Sequence, residues 1–315
     1  MQVVSTSALP IDLAAQVIAA LPGAVVHVPA QGHVGVANVD LREADALVCL
    51  LLDRIDANLL SRAPRLRVVA NCAVGFDNVD VAAMTAAGVV VTNTPDVLTE
   101  ATAELAFALL MACARRIGEG ERLVRSRAWK GWALDQLIGV GLLGKTLGIV
   151  GFGRIGQALA RRALGFGMRV IYADLGAAAS APMAGDVRQV GIDELFATAD
   201  AISLHCPLVP ATRHLVNADR LAQMKPTAIL INTARGGLMD YDCLEKLLIE
   251  NKIYGAGLDV FPTEPFPERP LKTLPNVVLT PHIGFNSTAA LERLVRIGLD
   301  NILNFFAGKP QNLIV

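Results

Sequence analysis

Short apolar, β-branched runs alternate along this chain with stretches of helical length, and that rhythm constrains the fold more than any other feature. Parallel strands can be joined only through crossovers of a dozen or more residues, usually helices. In the first third the runs fall at 46–52, 66–70 and 89–92, each separated from the next by enough chain for such a crossover. A second series follows a long Ala/Leu-rich tract, at 146–150, 169–173, 201–204, 228–232 and 255–259, with 277–279 as its last member. The expectation is an α/β protein with two doubly wound parallel sheets, since 315 residues exceed what one hydrophobic core usually organises. No low-complexity linker separates the two series. The tract 99–116, opening on Thr99-Glu100, is long enough for a rigid connecting helix, which places a hinge near its start. The amphipathic segment 289–306 follows the last strand and can return to the first unit.

Composition narrows the class of function. Hydrophobic residues make up 53% and charged residues 18%, which excludes a mainly disordered chain. A net charge of -1 with dispersed Lys and Arg provides no footprint for nucleic acid or an anionic membrane. The five cysteines, Cys49, Cys72, Cys113, Cys206 and Cys243, are widely spaced and mostly set in apolar runs, as expected of buried thiols in a reducing compartment such as the cytoplasm. The first residues lack a basic stretch ahead of an apolar one, and the longest membrane-span candidate, 101–114, is broken by Glu104. No His/Cys/Asp cluster has metal-ligand spacing, so no metal is expected.

The segment 146–156, TLGIVGFGRIG, reads as a strand entering GxGxxG and then a helix. Gly151 permits the tight turn, Gly153 lets a pyrophosphate approach the backbone, and Gly156 lets helix and strand pack closely, with helix N–H groups facing the phosphates. Alone the three glycines could mark a packing turn; the flanking strand and helix favour a dinucleotide. The next strand ends at Asp174. That is close to the position, about 20 residues after the glycines, where an acidic side chain holds the ribose hydroxyls. NAD is therefore expected over NADP, because a 2′-phosphate would meet this carboxylate and no Arg or Lys follows in Leu175, Gly176, Ala177 and Ala178.

Several further motifs agree in order with one family. They are Asn71-Cys72-Ala73-Val74-Gly75-Phe76-Asp77-Asn78-Val79-Asp80, Thr92-Asn93-Thr94-Pro95, the Gly151 loop, His205-Cys206-Pro207-Leu208, Asn232-Thr233-Ala234-Arg235-Gly236-Gly237, Gly257-Leu258-Asp259-Val260-Phe261 and Pro281-His282-Ile283-Gly284. Over nearly all its length the chain resembles the D-isomer-specific 2-hydroxyacid dehydrogenases. Within that family it is most similar to the glyoxylate/hydroxypyruvate reductase branch, through 71–75, Trp129-Lys130-Gly131-Trp132 and 148–168. The resemblance implies a Rossmann NAD-binding domain, 99–285, inserted into a flavodoxin-like substrate domain formed by 1–98 and 286–315. It implies hydride transfer between NAD and a small 2-keto or 2-hydroxy acid, with Arg235, Glu264 and His282 as the catalytic set.

Those three residues suit the chemistry. The Arg235 guanidinium, at a strand's carboxyl end, can bind a carboxylate through two parallel hydrogen bonds and polarise the adjacent carbonyl. An imidazole at His282 can give a proton to the ketone oxygen or take it back, and by the resemblance Glu264 pairs with it to fix its tautomer. His27, His33 and His214 are read as core or surface groups. The resemblance also implies that Val74 and Gly75 present backbone N–H groups to the substrate carboxylate, while Leu51 and Leu52, at the mouth of strand 46–52, form an apolar wall suited to a small acid. To the cofactor shell it adds Arg154 and Ile155 over the pyrophosphate, Cys206 and Pro207 beside the adenine, Thr233, and Asp259 and Thr102 toward the nicotinamide; the last two read equally as structural caps. Val74 stands where phosphite-oxidising relatives carry lysine, which disfavours phosphite as substrate, and a regulatory domain like that of many 3-phosphoglycerate dehydrogenases is not expected. A homodimer is implied, with the helix after Thr99 and the stretch 129–132 as contact arm, although the two tryptophans could instead be intrachain core. The alternative function is an NAD(H)-responsive binding or redox-sensing protein of the same fold; the complete Arg235, Glu264 and His282 set favours an enzyme.

Overall fold

A computed structural model describes residues 1–9, 12–174 and 185–314. The chain divides into two compact units, Met1–Leu98 with Asn286–Val315, and Thr99–Phe285. Leu175, Gly176, Ala177 and Ala178, the stretch used in the NAD argument, lie outside the described residues.

The first unit begins with β1 (Gln2–Ser5), α1 (Leu13–Ala20), β2 (Val25–His27), β3 (Ala46–Cys49), α2 (Ala57–Arg62), β4 (Val68–Asn71), α3 (Val81–Ala87) and β5 (Val90–Thr92). Its five strands are all parallel in the order β2-β1-β3-β4-β5, so successive crossovers wind to both sides of β1. Each helix starts where an aspartate, Asp12, Asp56 or Asp80, accepts amide hydrogens of the first turn. β3 and β4 are buried throughout, as a parallel strand covered on both faces must be.

β1 and β2 are additions to the strands expected from the sequence. β2 is three residues long on the sheet's edge; its run Ala24-Val25-Val26 is short and broken by His27, and Val25 is 48% exposed. β3 also stops at Cys49, three residues short of the expected end. The Asp53 N–H donates to Leu50 O at 3.0 Å and the Leu50 N–H donates to Asp53 Oδ2 at 2.9 Å, closing a turn that takes the chain out of the sheet. Leu51 and Leu52 therefore lie in a turn and not on a strand, with Leu52 66% exposed.

The second unit contains α4 (Thr99–Ala114), α5 (Ile117–Arg125), β6 (Thr146–Val150), α6 (Arg154–Gly165), β7 (Arg169–Ala173), β8 (Val187–Gln189), α7 (Ile192–Thr198), β9 (Ala201–Leu204), α8 (Ala218–Gln223), β10 (Ile229–Asn232), α9 (Tyr241–Ile249), β11 (Gly255–Leu258) and β12 (Val277–Leu279). All seven strands are parallel, in the order β12-β11-β10-β9-β6-β7-β8. β6 sits inside the sheet, and the winding reverses on either side of it. In an open α/β sheet such a switch point leaves a crevice at the strands' carboxyl ends. α4 lays Ala103, Ala106, Leu109, Leu110 and Cys113 into the core on one face of this sheet. It stops at Ala114, short of 116, because Arg116 takes a left-handed backbone with φ 53°. No helix among the described residues is long and apolar enough to cross a membrane.

The chain then returns to the first unit as α10 (Thr288–Phe306), capped by Ser287. Asn301, 1% exposed on its buried face, donates from Nδ2 to Asn93 O at 2.8 Å and ties the helix to the chain leaving β5.

Candidate active site

The glycine loop follows β6 at the switch point. Gly151 has φ 91°, a conformation that costs a residue with a Cβ, and a Cβ there would lie 2.7 Å from the Cys206 amide nitrogen. Gly156 faces Gly151 O so closely that any side chain would force helix and strand apart. Gly153 differs from both: a Cβ there meets nothing within 4 Å, so the chain's own packing does not demand glycine. It is the N-terminal cap of α6, followed by Arg154 and the half-buried Ile155. Asp174, directly after β7, accepts the Phe152 N–H at 2.8 Å and so fixes the loop from the side. Beyond β9, Cys206 is buried and Pro207 exposed, and Thr212 Oγ1 donates to Pro207 O at 2.6 Å.

At the carboxyl end of β10, Asn232 organises the next turn. It is fully buried, accepts the Ala234 N–H at 3.0 Å and donates to Arg235 O at 2.9 Å, holding the backbone on both sides of Thr233 and Ala234. The Arg235 guanidinium donates to Ala234 O at 2.8 Å. A Cβ on Gly236 would run into the backbone of Phe261 and Pro262, so glycine here lets the β10 and β11 exits touch. Thr233 Oγ1 is buried without a hydrogen-bond partner.

Asp259, the first residue past β11, is fully buried. Its Oδ1 accepts from Thr280 Oγ1 at 2.6 Å and the Ile283 N–H at 2.8 Å, its Oδ2 accepts the Gly284 N–H at 2.8 Å, and its carbonyl accepts the His282 N–H at 2.8 Å. Burial pushes this carboxyl above the usual range, against the opposing hydrogen bonds and the nearby His282 charge. The buried Thr102 of α4 approaches the same turn at Gly284. Asp259 thus shapes the turn that carries His282, whose φ of 55° is rare for a residue with a side chain and is sustained by these bonds.

His282 Nδ1 and Glu264 Oε2 are 2.8 Å apart, and Glu264 Oε1 accepts the Phe261 N–H at 3.0 Å. Burial, the largest single influence on Glu264, raises its carboxyl. The hydrogen bonds from His282 and Phe261, with the charges of His282 and Arg235, outweigh it and hold the group below its ordinary 4.5. With Nδ1 engaged, the imidazole's Nε2 is the nitrogen left to exchange a proton. A cation, an imidazole oriented by a carboxylate and a glycine loop thus gather along the carboxyl edge of one parallel sheet. Leu51, Val74 and Gly75 belong to the other unit, in the loops after β3 and β4.

Residues 107–284 match the family described as D-isomer specific 2-hydroxyacid dehydrogenase, NAD binding domain. A glyoxylate reductase of Thermococcus litoralis is 49% identical over 285 residues, covering 89% of this chain and 86% of that one. Among solved structures, the TT0316 protein of Thermus thermophilus is 42% identical with a TM-score of 0.91, each chain covered in full. A D-lactate dehydrogenase of Aquifex aeolicus, solved with NAD and lactic acid, is 28% identical with a TM-score of 0.87, covering 100% of this chain and 99% of its own. The chain belongs to the D-isomer specific 2-hydroxyacid dehydrogenases.

This dehydrogenase is an NAD-dependent enzyme of the glyoxylate reductase branch. In the sequence Asn232 stands inside a motif with no task of its own, although a lone amide closing an otherwise apolar strand is an available signal. Thr280 carries no signal at all, because nothing local reveals that its hydroxyl reaches Asp259 from 21 residues away. Tyr241, whose buried hydroxyl donates to Val260 O and steadies the chain leading to Glu264, is likewise hidden.

Proposed function

We propose that this dehydrogenase reduces a small 2-keto acid of the glyoxylate or hydroxypyruvate type to its D-2-hydroxy acid, with NADH preferred over NADPH. The observation that carries the reading is the 2.8 Å contact between His282 Nδ1 and Glu264 on a turn built around Asp259. Glu264 accepts the Nδ1–H, and His282 presents Nε2 as the acid for the ketone oxygen in reduction and the base for the hydroxyl in oxidation. Arg235 pairs with the substrate carboxylate and draws electron density from the adjacent carbonyl. The N–H groups of Val74 and Gly75 take up the rest of the carboxylate, and Leu51 limits the size of the acid.

The residues present suit a dinucleotide. Gly153 leaves room over the first turn of α6 where a phosphate would approach, and Thr233 Oγ1 is a buried polar atom without a partner. Arg154 and Ile155 would cover the pyrophosphate, Gly151 and Gly156 set the loop, Cys206 and Pro207 would flank the adenine, and Thr102 and Asp259 would stand toward the nicotinamide. Bound NADH supplies the hydride. The Asp174 carboxylate supports NADH over NADPH, because it accepts ribose hydroxyls and repels a 2′-phosphate.

A homodimer is part of the same reading. Trp129, Trp132, Leu134, Ile138 and Leu143 are all more than half exposed, Trp132 at 81%, which favours a contact arm over an intrachain core for this stretch. The five free cysteines, four of them buried, support a reducing compartment such as the cytoplasm.

The test follows NADH and NADPH absorbance with glyoxylate, hydroxypyruvate, pyruvate, phenylpyruvate and 2-ketoglutarate. Turnover that favours NADH and the smallest acids is expected. NADH binding without turnover on any acid would transfer the chain to the redox-sensing reading.

A further inference from the structure

β3 and β4 are neighbours, with Cys49 opposite Asn71, so the loops that follow them leave the sheet side by side. Three asparagines brace these loops. Asn71, fully buried at the end of β4, donates from Nδ2 to Gly75 O at 3.0 Å and accepts at Oδ1 from Asn78 Nδ2 at 3.2 Å. The same Asn78 amide donates to Asp53 O at 2.8 Å, with Leu50 O at 3.4 Å, so it ties the Leu50 to Asp53 turn to the Asn71 loop. Its Oδ1 is buried without a hydrogen-bond partner. An orphan buried acceptor is costly, and the site tolerates it for the sake of the amide's donor side.

Asn93 works from the other flank. Its Nδ2 donates to Val74 O at 2.9 Å, and Thr94 N–H donates to Ala73 O at 3.0 Å. Asn93 is itself held, its N–H on Asn312 O at 3.1 Å and its carbonyl on Asn301 Nδ2 at 2.8 Å. In a planar trans peptide the C=O and the following N–H point in opposite directions. Anchoring Ala73 O therefore fixes the direction of the Val74 N–H, and anchoring Val74 O fixes that of the Gly75 N–H. Anchoring Gly75 O on Asn71 stops the next peptide from turning.

We propose that Asn71, Asn78 and Asn93 are positioning residues for substrate: Asn93 aims the Gly75 N–H at the acid's carboxylate, beside the Val74 N–H that the Thr94 backbone directs, while Asn71 and Asn78 keep this loop from turning and hold the Leu51 turn beside it. The inference rests on the reading of those two N–H groups as carboxylate donors. None of the three asparagines touches the reacting atoms. Their loss weakens recognition of the carboxylate and spares the hydride step.

The test uses the full-length enzyme with Asn93→Ala and Asn78→Ala; neither side chain is fully buried, unlike that of Asn71. Steady-state kinetics are measured with glyoxylate and with its uncharged amide, alongside NADH affinity by fluorescence. Each variant is expected to raise KM for glyoxylate roughly tenfold, the size of one lost hydrogen bond, with kcat and NADH affinity changed less than about threefold. The preference for acid over amide, taken as a ratio of kcat/KM, falls by a similar factor, which general loosening of the fold would not produce. If wild type prefers the acid and both variants keep that preference and the parent KM, the brace is refuted while the carboxylate reading stands. If wild type shows no preference, the reading of Val74 and Gly75 falls and takes the proposal with it. Parallel losses of kcat, NADH affinity and thermal midpoint also refute it, since they mark a purely structural role. Should Asn78→Ala fail to fold, Asn93→Ala alone decides.

Discussion

Gly236→Ala isolates the geometry of the proposed catalytic set, Arg235, Glu264 and His282, without touching a charged or titrating group. A Cβ at this position lies far inside 3.0 Å of three backbone atoms, Phe261 C, Phe261 O and Pro262 N. Backbone cannot swing aside as a side chain can. Ordinary contact begins near 3.4 Å. The Arg235 turn and the segment leading to Glu264 must therefore part by on the order of 1 Å. That displacement separates Arg235 from the Glu264 and His282 pair, and a misplacement of this size is worth roughly 100-fold in kcat/KM. Overpacking adds a destabilisation of about 1–3 kcal/mol. Gly237→Ala is the matched control: its Cβ meets the end of the flexible Leu208 side chain at 2.9 Å, which can rotate away. The assay is kcat/KM for glyoxylate and hydroxypyruvate at a temperature where urea titration shows both variants folded. If Gly236→Ala stays within threefold of wild type, or falls no further than Gly237→Ala, the close apposition of these two turns is not what sets the chemistry.

Two further outcomes follow from burial and exposure. His205 Nε2 lies 2.8 Å from Ser203 Oγ, and burial pushes its pKa from 6.5 down to about 4. Between those values the unfolded chain binds the proton that the folded one refuses, so stability falls as pH drops from 6.5 toward 4, and recovers as pH rises. Because the residue keeps some solvent exposure, the loss is ~1–3 kcal/mol. Urea midpoints in mildly acidic and neutral buffer should diverge less in His205→Asn than in wild type, and equal divergence would rule His205 out as a source. The exposed stretch around Trp132 predicts a dimer by light scattering at micromolar concentration, shifted toward monomer by Trp132→Glu; a monomeric wild type would remove the homodimer.

The parts of the fold legible in the sequence are those with full burial and sharp ends. β6, β7, β9 and β12 begin and end as expected from the sequence, because β6, β9 and β12 are bounded by polar or glycine residues and β7 opens on Arg169 and closes before Asp174. β8, Val187-Arg188-Gln189 on an exposed edge, carries no such signal, and at β2, on the other sheet's edge, it is only the brief run Ala24-Val25-Val26. The overrun of β3 has a different origin: Cys49 to Leu52 is continuously apolar, and only the buried Asp53 side chain, reaching Leu50 N, Thr6 Oγ1 and Val36 N, turns the chain. At the site, motifs mark Arg235, Glu264 and His282 as residues following strands. They do not show that Glu264 and His282, 18 residues apart, meet through Nδ1, nor that Asp259 spends its carboxylate on the His282 turn. Those contacts depend on the register of neighbouring parallel strands, which local pattern does not encode.

The central claim is that His282 exchanges the proton while the rest of the chain binds and orients. It is tested most directly by His282→Ala in single-turnover reduction of glyoxylate, with NADH affinity measured on the same preparation. Loss of a positioned general acid predicts a rate lower by about 100- to 10,000-fold with NADH affinity unchanged within twofold. A rate within tenfold of wild type, with NADH still bound, would contradict the account.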